Sequence, residues 1–286
     1  MAVESVAKTG HLSKKKKKPV PGSAVDPYAD AKPPFSSRGR EARLLANPEQ
    51  IPSFMPESRG VDLSRTTPYH GDMKSLIIRT GLAEIEQVLI ETVSGILLYD
   101  GVMAYPTETY YGLGAVGLSR KGVRRIFRLK KREAGKQLPL IVSDLDMIER
   151  LAAAPPAVFY RLASEFWPGP LTLVLKAAPS FPEEFLGPGG TIAVRIPPVP
   201  WLRALVGEIG LPVTATSANL SGQREISDPA ELIAHFNGKV DVIVDGGNTP
   251  GGMPSTIVDI SGEKPRIIRK GAVPAATLEP FLGPIA

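Results

Sequence analysis

The sequence contains no cysteine. This excludes disulfide frameworks, Cys-ligated zinc, iron–sulfur clusters and thiol nucleophiles. Histidine is nearly as scarce: His11, His70 and His235 are scattered, and the first two lie near the N-terminus. A histidine metal cluster or a Ser-His-Asp triad would have to be built around His235 alone. No apolar run approaches the ~20 residues that a bilayer-spanning helix needs. The N-terminus lacks the apolar stretch of a secretory signal. The expected location is the cytoplasm, with no membrane partner. Several phosphate-site and hydrolase signatures are also missing. There is no Walker A pattern and no Gly-x-Ser-x-Gly elbow, and Gly112 and Gly114 lack the third glycine of a dinucleotide fingerprint.

The chain has 286 residues and a net charge of +5, a balance that points to anionic partners. The excess is not spread evenly. Residues 1–75 hold 13 basic and 8 acidic side chains, whereas residues 76–286 hold 21 of each. Residues 1–72 are expected to form a disordered, basic, Pro-rich leader. They contain nine prolines and the run Lys14 to Lys18, with too little apolar surface to offset the entropy of ordering a backbone. Short helical turns are expected around Arg38–Leu45. The lysine run reads as a solvated tail, with a nucleic-acid tether or localisation signal as the alternative. Met73 opens a plausible domain by itself, so residues 73–286 are expected to form the folded domain.

From Met73 the pattern becomes that of a folded α/β domain. Ile85, Val88, Leu89, Thr92, Val93, Ile96 and Leu97 make an apolar stripe that predicts a helix over Glu84–Leu98. Further helices are predicted after the caps Ser119, Asp144 and Asp228, over Pro156–Phe166 and over Trp201–Ile209. Strands are predicted at Val102–Tyr105, Leu138–Val142, Leu171–Lys176, Thr191–Ile196, Val213–Thr216, Val240–Val244, Thr256–Ile260 and Ile267–Arg269. Helices and strands alternate without strict βαβ repeats, which predicts a single domain with one twisted, mixed sheet.

Three polar clusters could carry chemistry. Between Arg120 and Lys136 stand nine basic residues opposed only by Glu133. Arg124, Arg125, Arg128 and Lys131 lie away from the Val123/Ile126/Phe127 stripe and read as a solvated face. Lys130 and Arg132 fall where the helix should end, so they can project into a cleft. Two cations held close together are more readily tolerated with an anion between them. The second cluster, Thr214 to Asn219 followed by Leu220-Ser221-Gly222, ends a predicted strand in hydroxyl and amide groups, where α/β sheets bind ligands. In isolation an ordinary turn with Asx and Ser capping is the better reading. The third, Tyr105 to Gly114, offers donors, an acceptor and close backbone approach.

These clusters occur in order with further motifs: YPTETYYGLGA at 105–115, Lys130-x-Arg132, FWPGPLTLVL at 166–175, TIAVRIP at 191–197, SANLSG at 217–222, STIVD at 255–259 and IIRKG at 267–271. The body resembles the YrdC/Sua5 domain, the threonylcarbamoyl-adenylate synthases of tRNA modification. The resemblance covers residues 74–271 and none of the leader. It implies a twisted mixed α/β sheet with helices around a concave, positively charged cavity. It also implies that L-threonine, bicarbonate and ATP give L-threonylcarbamoyl-AMP and pyrophosphate. A separate complex then transfers the threonylcarbamoyl group to adenosine 37 of tRNA. Mg²⁺ is expected to arrive with the ATP. The downstream transferase complex is an expected partner and tRNA a candidate one, with double-stranded RNA binding as a family trait.

Carried over residue by residue, Lys130, Arg132, Ser217 and Asn219 match the family's signature and are the expected catalytic residues. Arg132, Lys136, Thr191, Ser217 and Arg269 are expected to touch ATP. Thr109, Ser143, Arg195 and Ser255 are expected to hold threonine. No protein metal site is expected. Glu108 has no assigned role, since it could as well be structural. The sequence departs from the family at Glu133, where many relatives have proline, and at Val116, where aspartate is frequent. The loop from Arg132 to Pro139 is also about two residues longer than the commonest form, which weakens the alignment of Lys136 and Ser143. The chain ends 15 residues past Gly271, so it is expected to be the short, single-domain form. The alternative is a non-catalytic module that binds nucleotide or RNA through the same cavity. A carbamoyl-adenylate enzyme with another acceptor ranks below both, because the relevant hydrogenase-maturation relatives carry zinc fingers.

Overall fold

The described residues form eleven strands and seven helices. The computed structural model describes residues 74–80, 87–132 and 137–283, which all fall in one unit. The leader, the turns at Arg38–Leu45, the boundary at Met73 and the residues Glu133 and Lys136 lie outside the described residues. In chain order the elements are β1 (Leu76–Arg79), α1 (Gln87–Leu98), β2 (Met103–Tyr105), β3 (Gly112–Gly114), α2 (Arg120–Lys130), β4 (Leu140–Ile141), α3 (Leu145–Leu151) and α4 (Ala157–Phe166). They continue with β5 (Leu171–Lys176), β6 (Thr191–Arg195), α5 (Pro200–Ile209), β7 (Val213–Thr214), β8 (Thr216–Ser217), α6 (Pro229–Phe236), β9 (Val242–Asp245), β10 (Thr256–Asp259), β11 (Arg266–Arg269) and α7 (Ala275–Leu282). The expected caps are made. Ser119 Oγ accepts from Gly122 N at 2.9 Å, Asp144 from Met147 N at 2.8 Å and Asp228 from Ala230 N at 2.9 Å. No helix among the described residues is long and apolar enough to cross a membrane.

The mixed α/β class is as expected, but the sheet is divided in two. One sheet runs β1-β9-β2-β3-β8 and the other β11-β10-β5-β6-β4-β7, each with parallel and antiparallel pairs. The division falls inside the run Val213–Thr216, read from sequence as one strand. Val213 and Thr214 pair with β4, whereas Thr216 and Ser217 pair with β3. Between them Ala215 N donates to Pro139 O at 2.7 Å, and Thr214 N donates to Ala115 O at 2.9 Å. The chain therefore changes sheets over one residue.

The first sheet is covered on both faces. Along β2 and β9, side chains alternate between two cores, as a period of two requires. Met103, Tyr105, Val242 and Val244 join the larger one, with α1, α4 and α5. Val102, Ala104 and Ile243 join the smaller one, with Val123 and Ile126 of α2 and Leu232 and Phe236 of α6. Glycine in β3 is explained by Tyr105 on its partner strand. A Cβ on Gly112 would lie 2.9 Å from Tyr105 Cζ, and one on Gly114 would lie 2.9 Å from Tyr105 Cε1 and Met103 Cε.

This packing separates two glycine substitutions. Gly114→Ala forces Tyr105 and Met103 aside and is expected to destabilise by about 1–3 kcal/mol. Gly95 sits inside α1 with nothing within 4 Å of an added Cβ, so Gly95→Ala is expected to stabilise by about 0.5–1 kcal/mol. Urea unfolding midpoints should move in opposite directions; a shift of both the same way would contradict this packing.

Candidate active site

Helix α2 ends abruptly at a cation. Lys131 adopts the left-handed conformation, with φ 48°. Arg132 N donates back to Phe127 O at 3.0 Å, closing the helix end as a C-terminal cap does. The turn sends Lys130 inward: it is buried, 4% exposed. Its Nζ donates to Ser217 O at 2.5 Å, Asn219 Oδ1 at 2.8 Å and Asn219 O at 2.9 Å. All three ammonium hydrogens are thereby engaged. Ser217 Oγ donates to Asn219 Oδ1 at 2.7 Å, Asn219 Nδ2 donates to Gln223 O at 2.5 Å, and Ser221 N donates to Lys130 O at 3.1 Å. Lys130 thus fixes the whole SANLSG turn. It offers a ligand its charge and the loop it holds.

Burial pulls the Lys130 ammonium down to about 8 from its ordinary 10.5, with the Arg132 charge adding to the fall and Glu225 opposing it. Burial likewise pulls the Arg132 guanidinium below the usual arginine value. Arg132 Nη2 donates to Gln137 O at 3.3 Å, and Gln137 Nε2 donates to Thr191 O at 2.7 Å. Thr191 Oγ1 donates to Pro188 O at 3.0 Å. Gln137 therefore ties the Arg132 loop to the start of β6.

The other end of β6 carries Arg195, four residues on. Arg195 Nη2 donates to Glu108 Oε1, and the two side chains are 13% and 21% exposed. In the β5–β6 pair Leu173 faces Val194, so continuing the register sets Thr172 beside Arg195. Thr172 Oγ1 and Ser255 Oγ share a hydrogen bond of 2.9 Å. Arg269 Nη2 donates to Ser255 O at 2.7 Å and to Ser255 Oγ at 3.0 Å. Burial lowers the affinity of Arg269 for its proton, with the Arg195 charge acting the same way and Glu225 against it. Glu225 thus lies within electrostatic reach of both Lys130 and Arg269.

The remaining expected residues are placed as follows. Thr109 sits in the β2–β3 loop, where Thr107 Oγ1 donates to Tyr110 O at 2.6 Å and Gly251 N donates to Thr109 O at 2.7 Å. Ile141 faces Arg195 in the β4–β6 pair, which puts Ser143 just past the end of β6. There Ser143 Oγ donates to Asp144 Oδ2 at 2.7 Å. Sequence reasoning gave no role to Glu108, Gln137 or Glu225. The last two carry no local signal, because their partners lie on other elements. The outer cations of α2 are partly neutralised: Arg120 pairs with Glu184, Lys121 with Asp100 and Arg125 with Asp241. A hollow along this face is lined by Arg124, Arg128, Lys131, Phe127 and Phe185 and includes Arg132 of the expected residues.

The arrangement collects cations, hydroxyls and amides, with no nucleophile poised beside a base. Such a set suits positioning and charge stabilisation of anionic reactants. Among the described residues no three His or acidic side chains gather to hold a metal ion.

A family model, Sua5/YciO/YrdC, described as "Telomere recombination", matches residues 95–271. The threonylcarbamoyl-AMP synthase of Pyrococcus abyssi is 36% identical over 201 residues, covering 70% of this chain and 59% of that protein. The synthase of the same name from Bacillus subtilis is 36% identical over 198 residues, covering 68% and 57%. The chain thus spans less than two thirds of the length of either relative. The crystal structure of P. abyssi Sua5 complexed with L-threonine superposes with a TM-score of 0.67 at 35% identity, covering 73% of this chain and 61% of that one. With the motifs in register, the fold in common and the family model spanning most of the described residues, the chain belongs to the Sua5/YciO/YrdC family.

Proposed function

We propose that this protein joins L-threonine, bicarbonate and ATP into L-threonylcarbamoyl-AMP, releasing pyrophosphate, for threonylcarbamoyl modification of adenosine 37 in tRNA. The observation that carries this reading is the buried Lys130 ammonium holding Ser217 and Asn219, with Arg132 beside it. Two relatives bear the name threonylcarbamoyl-AMP synthase, and a related structure holds L-threonine. The threonine amine takes up bicarbonate as a carbamate with loss of water. A carbamate oxygen then attacks the α-phosphorus, and pyrophosphate leaves. Each reactant is anionic or carries a carboxylate, and the chemistry needs alignment more than covalent help.

The roles divide along the geometry. Lys130 and Arg132 supply positive charge to bicarbonate and phosphate, and Ser217 and Asn219 contact the nucleotide and the reacting carbamate. Lys136, Thr191 and Arg269 serve ATP. Thr109, Ser143, Arg195 and Ser255 serve threonine, Arg195 through its carboxylate. Together they would line the concave, positively charged cavity. Mg²⁺ enters bound to the triphosphate, as it commonly does, without an all-protein cage. The product passes to a transferase complex in the cytoplasm.

The direct test is incubation with ATP, labelled threonine and bicarbonate. A threonine-dependent AMP adduct with equimolar pyrophosphate is expected. Its absence with freshly prepared protein sinks the reading, and tight, salt-steep tRNA binding without ATP binding would install the non-catalytic alternative. Lys130→Ala and Arg132→Ala are each expected to lower kcat/KM by at least about 100-fold while circular dichroism stays unchanged. Wild-type turnover in either variant would remove that residue from the site.

The pH profile follows from Lys130. Its folded-state value, about 8, lies below its ordinary 10.5. Between these values the unfolded chain holds more protons, so the stability contributed by Lys130 rises with pH across that window. Its charge is lost over the same window. The expected result is that kcat/KM falls above pH about 8 while the protein stays folded; a flat profile to pH 10 would show that the Lys130 charge is not used.

A further inference from the structure

Glu108 and Arg195 are joined by one hydrogen bond only, from Nη2 to Oε1. Two other atoms of the pair, Glu108 Oε2 and Arg195 Nε, are both buried without a hydrogen-bond partner among the described residues. An arginine–carboxylate pair usually closes as a fork with two parallel bonds, and native structures leave few buried polar atoms unsatisfied. Two orphaned atoms across one ion pair mark an incomplete pairing.

The surroundings keep it incomplete. The Glu108 loop is pinned by the Thr107–Tyr110 and Thr109–Gly251 hydrogen bonds. Arg195 ends β6, where its carbonyl accepts from Val142 N at 3.0 Å. Arg269 adds a second positive charge within reach of Arg195, and among the described residues Glu108 is the acid that pairs with Arg195.

The consequence concerns which ligand can enter. A ligand with a carboxylate but no amine would take Arg195 and leave Glu108 as a partly buried charge without a partner, a costly arrangement. A ligand with an amine but no carboxylate would strand Arg195. A zwitterion replaces one single-bonded ion pair with two and strands neither group. We infer that Glu108 is a specificity-determining residue that makes this site select a free α-ammonium: the ligand carboxylate takes Arg195, and Glu108 takes the ammonium. The inference rests on the reading that Arg195 and its neighbours hold L-threonine.

Isothermal titration of the full-length protein tests it, with L-threonine and with 3-hydroxybutanoate, which has the same hydroxyethyl group and carboxylate but no amine. Wild type should bind threonine at least about 100-fold more tightly than the amine-free acid. Glu108→Gln should weaken threonine by about 30-fold and strengthen 3-hydroxybutanoate, because the internal competitor for Arg195 has lost its charge. ATP titration serves as the fold readout for the variant and should be unchanged within about twofold. Shifts of both ligands in the same direction, or of neither, would overturn the inference. If the variant loses ATP binding, the wild-type comparison decides: equal affinity for the two ligands overturns it. Threonine binding without amine discrimination sinks this inference alone. No threonine binding by an ATP-binding wild type sinks the functional reading and takes this inference with it.

Discussion

The site hangs on the buried ammonium of Lys130. A charged group 4% exposed is tolerable only when its hydrogens are all used and its acceptors are well placed. Here three oxygens of Ser217 and Asn219 do this. The same contacts reinforce β8, a strand of two residues paired with β3. The lysine is delivered by the left-handed turn at Lys131, and α2 is held in place by Val123 and Ile126 in the smaller core. Apolar packing positions the helix, the helix end positions the charge, and the charge positions the polar loop.

The two sheets then divide the work. The first carries the β2–β3 loop with Glu108 and Thr109, and the Ser217–Asn219 turn. The second carries Arg195, Ser255 and Arg269. The crossing at Ala215 joins them without a connecting loop, and hydrogen bonds fasten the polar groups that lie on turns, from Gly251 N to Thr109 O and from Lys130 Nζ to Asn219 O. A site braced this way is suited to positioning reactants.

Local rules were legible in the sequence. Ser119, Asp144 and Asp228 cap helices as their residue types predict, and β5 spans the residues its apolar run marks. What escaped depends on distant partners. Strand β1 has four residues and is defined by β9, 166 positions away. Strand β3 reads Gly-Leu-Gly, a poor strand by propensity, and becomes one because Tyr105 needs the space of both glycines. Helix α7 holds Pro280, a residue that argues against a helix interior. Val213–Thr216 is a single apolar–polar run, and nothing within it says that the two halves belong to different sheets. In the site, the motif positions came from the family resemblance. Glu108 could not be told from a structural residue until Arg195, 87 positions away, was seen to bond it.

The electrostatics of the cluster favour an anion. Lys130, Arg132, Arg195 and Arg269 are opposed by Glu108 and Glu225, so positive charge is in excess where water is partly excluded. The lowered proton affinities of Lys130, Arg132 and Arg269 all have burial as their first cause. An anion placed among these groups favours their charged forms, and by linkage the charged forms favour the anion. Ligand and proton therefore support each other at Lys130. The whole-chain charge excess belongs to the N-terminal residues, whereas the excess that matters is a local one, created by folding inside a neutral body.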